Sequence, residues 1–165
     1  MYVSFNMLSI KIITIGNLKE KYWTSACEEY AKRLSRFCRF DIVELAEAKL
    51  PSDPSDGEIA RALDTEGTAI LAAIPPRAHK TALCVEGKSF SSPDLARLIE
   101  RTSNISSELV FIIGGSYGLA DKVKSACDVR MSFSPMTFPH QLMRVILCEQ
   151  LYRAMTINNN IKYHK

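Results

Sequence analysis

The spacing of apolar residues changes period repeatedly along the chain. Ser9 to Gly16 is a short β-branched run closed by glycine, and Lys19 to Phe37 follows with Tyr22, Trp23, Ala26, Tyr30 and Leu34 at helical intervals. Phe40 to Leu45 again has strand character. The Pro-, Ser-, Asp- and Gly-rich stretch from Pro51 to Gly57 marks a loop, and Glu58 to Ile74 is a second helical segment stopped by Pro75 and Pro76. The pattern then predicts a strand over Lys80 to Val85, a helix over Ser92 to Thr102 opened by Ser92-Pro93, and a strand over Glu108 to Ile113. A short helix over Ala120 to Cys127, a strand over Val129 to Phe133 and a long helix from Pro139 to about Asn158 complete the chain. Strands and helices alternate with no hairpin signal between them. The expected architecture is therefore α/β, a mostly parallel sheet with helices on both faces, in one domain spanning residues 1–165.

In such a sheet, ligands bind beyond the carboxyl ends of the strands. Three stretches occupy that position. In the run Leu-Val-Phe-Ile-Ile-Gly-Gly-Ser-Tyr-Gly-Leu, residues 109–119, an apolar strand enters Gly114, Gly115 and Gly118, whose missing Cβ atoms let a ligand approach the backbone. The same glycines also suit a tight strand-to-helix turn. Their spacing matches neither GxGxxG nor a P-loop, and Gly87-Lys88-Ser89 resembles a P-loop ending but lacks the upstream glycine, position 82 being Ala. The run Met-Ser-Phe-Ser-Pro-Met-Thr-Phe-Pro-His, residues 131–140, places hydroxyls and backbone polar groups between apolar side chains on a proline-stiffened loop, a wall suited to a flat base such as adenine. The same residues also make a plain connection that packs its own apolar groups. The third stretch, Leu83-Cys84-Val85-Glu86-Gly87, ends a strand, and Glu86 reads as a solvated strand-end charge.

Composition narrows the class. The chain has 165 residues, long enough to bury a core without disulfides or a metal. No apolar run reaches the roughly 20 residues of a membrane span, and no secretory pattern opens the chain, so a cytoplasmic protein is expected. The five cysteines are scattered without a CxxC pair, which suits reduced packing residues and indicates no metal site. Met7 is an alternative start, with the first six residues an unstructured extension. The net charge of +3 is unevenly placed: basic and acidic side chains cancel over residues 1–139, and the excess lies in Arg144, Arg153, Lys162 and Lys165 against Glu149. A further basic group, Lys32, Arg36 and Arg39, recurs at helical spacing on the first helix and reads as a solvated face. The last helix carries His140, Arg144, Glu149, Tyr152 and Arg153 beside its apolar stripe, and Tyr163-His164-Lys165 ends the chain.

Phe111 to Leu119, Ser132 to Ala154 and the ending Tyr163-His164-Lys165 together resemble the RlmH family, methyltransferases of the knotted SPOUT class. The likeness runs from about Met7 to Lys165, and the unbroken stretch from His140 to Ala154 makes it specific. The resemblance implies a deep trefoil knot over about residues 108–165, with S-adenosylmethionine bound bent within it, and a homodimer whose active sites are completed at the subunit interface. It implies methylation of N3 of a pseudouridine in 23S rRNA on the assembled ribosome. Carried over by position, cofactor contacts fall on Leu83, Gly114, Phe133, Ser134, Pro135, Met136, Thr137 and Phe138. Pro135 departs from the family pattern, where a lysine or a small residue is common; it keeps a carbonyl but offers no N–H. Arg144 and Lys165 are the expected phosphate-binding groups.

The resemblance also puts the substrate and catalytic side on Arg144, Arg153, Tyr163 and His164, and the acceptor it implies is an imide N–H that needs a base. Histidine has a reference pKa near neutrality, which makes His164 the expected base. Arg153 is expected to stabilise charge on the uracil oxygens, and Tyr163 to stack on or orient the base. The competing readings are a SPOUT enzyme acting on another RNA such as tRNA, and a nucleotide- or RNA-binding module without chemistry.

Overall fold

A computed structural model describes residues 7–164. The proposed six-residue extension and Lys165 lie outside the described residues. Ten elements alternate in chain order: β1 (Ser9–Ile15), α1 (Lys21–Leu34), β2 (Arg39–Leu45), α2 (Asp56–Ala73), β3 (His79–Ser89), α3 (Ser92–Ser103), β4 (Glu108–Ile113), α4 (Asp121–Ala126), β5 (Val129–Ser132) and α5 (His140–Asn158). The five strands form one parallel sheet in the order β2-β1-β4-β3-β5.

The central strands are apolar on both sides because both sides are covered. Ile10, Ile12, Leu109, Phe111 and Ile113 point toward α1, α3 and α5, where they meet Leu34, Leu95, Ile99, Leu147 and Leu151. The alternate residues Ile13, Ile15, Val110 and Ile112 meet Ile70 of α2 and Val123 of α4. The starts of α2 and α3 are fixed by capping boxes, Ser55 with Glu58 and Ser91 with Asp94. Cys27, Cys38 and Cys148 are buried, and Cys84 and Cys127 half-buried.

Two elements differ from their sequence expectation for non-local reasons. Helix α1 stops at Leu34 because Phe37 and Cys38 turn inward, Cys38 being 1% exposed, so Arg36 and Arg39 leave the helix. Lys32, Arg36 and Arg39 therefore share no helical face, although all three are exposed. Strand β3 runs on to Ser89 because it resumes pairing with β5 after an irregularity: Leu83 and Lys88 both register against Met131. Gly87 belongs to this irregularity and not to a phosphate loop. A Cβ there would lie 2.7 Å from the Met131 backbone, so glycine lets two strands touch.

Arg144 is the largest correction. Expected to grip phosphate, its side chain is fully buried. Its guanidinium pairs with Glu44 of β2 and donates to Thr14 Oγ1 of β1 (3.1 Å) and to the Gly16 carbonyl (2.9 Å). With no exposed nitrogen it has nothing to offer a phosphate, and it serves to fasten α5 to the carboxyl ends of β1 and β2. Its Nε finds no hydrogen-bond partner among the described residues, so the cation depends heavily on Glu44.

Glu44→Ala, which strips the carboxylate from this buried cation, is expected to cost about 3 kcal/mol of stability. Adding Arg144→Met, which replaces the orphaned charge with an apolar chain, should recover most of that loss in urea unfolding. A double variant no more stable than Glu44→Ala alone would contradict the assignment.

Candidate active site

The irregular part of β3 over Leu83, Cys84, Val85 and Glu86 and the loops that follow β4 and β5 enclose a cavity of about 710 Å³. Its inner wall is apolar, formed by Leu83, Ile113, Leu119, Met131, Phe133 and Phe138. Ser134, Met136, Thr137 and the first turn of α5, through His140 and Met143, close one side. Gly114 and Gly118 shape another. The Gly118 N–H donates to the Gly115 carbonyl (3.0 Å), closing a turn with Ser116 and Tyr117 at its corner, and Gly118 has φ +82°. A Cβ on Gly114 would lie 2.2 Å from the Gly118 carbonyl oxygen, so only glycine permits this fold-back. At the rim, Lys124 of α4 pairs with Glu86 (2.7 Å) and with Asp121 (3.0 Å). The pairing holds the Glu86 carboxyl below its usual range.

Of the expected cofactor contacts, Leu83, Gly114, Phe133, Ser134, Met136, Thr137 and Phe138 all line this cavity. Pro135 does not; it is exposed between two residues that do. The Ser134 hydroxyl accepts from the Met136 N–H (3.0 Å), which tightens the loop around Pro135.

The other expected residues form a second, separate cluster at the far end of α5. Arg153 donates through Nε (3.0 Å) and Nη2 (2.6 Å) to Glu149 Oε1, and the Tyr163 hydroxyl donates to the same oxygen (3.1 Å). The Arg153 guanidinium lies over the Tyr163 ring at 4.7 Å, and Tyr152 meets that ring edge-on at 4.8 Å. The ring expected to stack on a base is thus already engaged by two side chains. Burial, with hydrogen bonds to Tyr30 and Glu149, pushes the Tyr163 phenol up to about 12. The phenol is therefore a donor, not a base, at neutral pH. His164 is exposed. At about 1.5 Å of rise per residue, α5 places Arg153 about 20 Å from His140 at the cavity. The cavity and the tail cluster of one chain stand well apart.

A family model described as "Predicted SPOUT methyltransferase" matches residues 8–164. The chain is 45% identical over 159 residues to the ribosomal RNA large subunit methyltransferase H of Streptococcus pneumoniae (strain CGSP14), a match that covers 96% of this chain and all of that protein. The chain belongs to the RlmH family of SPOUT methyltransferases. Its fold is shared with a methylase family protein of Haemophilus influenzae Rd KW20 (TM-score 0.52, 13% identity, 94% of this chain and 70% of that one). It is shared too with a methylase family protein of Neisseria gonorrhoeae (TM-score 0.51, 12% identity, 90% of this chain and 83% of that one).

In this RlmH-family chain, sequence reasoning passed over Lys124, Tyr117 and Met143 as cavity residues. Lys124 reads as a surface charge three residues after Asp121, and only the fold brings it to Glu86. Among the described residues no group of three or more His, Cys, Asp or Glu side chains is placed to hold a metal, and no helix is long and apolar enough to cross a membrane.

The raised Tyr163 pKa has a stability consequence. Because the folded protein holds this proton more tightly than the unfolded chain, stability is fully present below pH 10 and falls as pH rises from 10 toward 12. Tyr163→Phe should therefore lose less stability than wild type across that interval in unfolding titrations. Equal losses would show that the phenol carries no such linkage.

Proposed function

We propose that the protein methylates N3 of a pseudouridine in 23S rRNA on the assembled ribosome, in the cytoplasm, using S-adenosylmethionine. The full-length match to a relative named as a large-subunit ribosomal RNA methyltransferase is the observation that carries this reading. The cavity fits the cofactor in size and character. Its volume lies within the range of small-molecule sites, its wall is apolar, and Gly114 admits a ligand close to the backbone. When bound, S-adenosylmethionine supplies an electrophilic methyl group on a sulfonium.

The residues of the chain then divide the work. Leu83, Phe133 and Phe138 would exclude water and hold the adenine by apolar contact, while the backbone of residues 133–138 offers hydrogen bonds, the Pro135 carbonyl among them. His164 would take the N3 proton of the acceptor. It is the one tail group suited to this, since the Tyr163 phenol stays protonated and the Arg153 guanidinium cannot act as a base. Arg153 would face the charge that develops on the uracil oxygens. Lys165 would contact phosphate. The knot is supported by the strand order: β5 pairs outside β3, yet α5 returns to β1 through Arg144, which takes the chain back past the ends of β3 and β4.

A homodimer is supported by the separation within one chain. Arg153 lies about 20 Å along α5 from the cavity, and His164 follows the Tyr163 that packs on it, so the tail cluster of one chain would complete the cavity of a second copy.

Methyl transfer from labelled S-adenosylmethionine to assembled ribosomes, free subunits and tRNA tests the reading. Label is expected in 23S rRNA of assembled ribosomes; label in tRNA, or none at all, would overturn it. His164→Ala should leave cofactor affinity intact and lower turnover by roughly 100-fold or more. Unchanged turnover would remove His164 from the reaction.

A further inference from the structure

Seven large apolar side chains stand exposed among the described residues, and three of them, Val85 (52%), Tyr117 (50%) and Met136 (70%), line the same cavity. Val85 stands in the irregular part of β3, between Leu83 and Lys88, and Tyr117 and Met136 on the loops after β4 and β5. Solvated apolar side chains concentrated around one opening mark a surface that a partner covers. Tyr117 is the aromatic member. It stands at the corner of the Gly115–Gly118 turn, which is held by the Gly118 N–H to Gly115 carbonyl bond, by a fold-back that tolerates no Cβ on Gly114, and by the Ser116 hydroxyl donating to Glu47 (3.4 Å). A ring on so constrained a turn gives up little freedom when something stacks on it.

We infer that Tyr117, which lines the cavity together with Met136 and Val85, is the platform on which the target base of the RNA stacks as it enters the methyl-donor cavity. This rests on the reading of the site as an RNA methyltransferase. A base must leave its own stack to present a ring nitrogen to a cofactor held in a cavity, and an aromatic face at the entrance repays that unstacking. Tyr163 is poorly disposed for the task, because Arg153 already lies over its ring and Tyr152 meets it edge-on. The Tyr117 ring has no such aromatic or guanidinium neighbour among the described residues. Tyr117 is a positioning residue for the acceptor, sequence-tolerant in itself, with the catalytic tail reading the ring nitrogen.

Steady-state methyl transfer to ribosomes by Tyr117→Ala and Tyr117→Phe tests the assignment, alongside calorimetry with S-adenosylmethionine and sedimentation of each variant. Tyr117→Ala is expected to raise KM for ribosomes about tenfold or more, with kcat within about twofold and cofactor affinity and oligomeric state unchanged. Tyr117→Phe, which keeps the ring, should restore the wild-type KM. A loss of S-adenosylmethionine affinity would make Tyr117 a cofactor contact, a change in oligomeric state would make it a subunit contact, and an unchanged KM would make it neither; each overturns the inference alone. Absence of transfer by the wild type would overturn the reading of the site and the inference with it.

Discussion

Arg144 ties the carboxyl-terminal helix to the amino-terminal strands. Its buried guanidinium joins α5 to Thr14 on β1, to Glu44 on β2 and to the Gly16 carbonyl. The same helix carries His140 and Met143 against the cavity at one end, and the Arg153, Tyr152 and Tyr163 cluster toward the other. The ion pair is directional, and direction is what a helix shared between two parts of a site requires.

The order β2-β1-β4-β3-β5 places β4, β3 and β5 side by side, so the irregular part of β3 and the loops after β4 and β5, distant in sequence, close one cavity. Glycine acts there at two points for different reasons. Gly87 lets β3 press against the β5 backbone, and Gly114 lets the turn after β4 fold back on Gly118. The outcome is a cavity with a buried apolar wall and an exposed apolar rim. The tail cluster is built on different physics, with Glu149 accepting from both Arg153 and Tyr163 beneath stacked aromatic edges.

Much of this was legible in the residues. The continuous apolar runs within Ser9–Ile15 and Glu108–Ile113 suit a sheet covered on both faces, and Gly114, Gly118 and the 131–140 stretch stand beyond the carboxyl ends of strands, where ligands bind in such sheets. What escaped was non-local. Arg144 stands beside the apolar stripe of the last helix and reads as a phosphate-binding group, and only pairing with a glutamate 100 positions away explains its burial. The continuation of β3 to Ser89 depends on β5, and the end of α1 at Leu34 depends on Cys38 finding the core. Tyr117 reads as one residue of a turn until the fold shows it exposed beside a cavity.

The central claim is that cavity and tail act from different chains. Co-expression of two inactive variants, Gly114→Val, which breaks the turn that shapes the cavity, and His164→Ala, which removes the base, measures it directly. If each site takes its cavity from one chain and its tail from the other, mixed dimers contain one site intact in both parts, and methyl transfer returns to a substantial fraction of wild type. If cavity and tail of the same chain work together, no mixed dimer has an intact site, and transfer stays at the level of the separate variants.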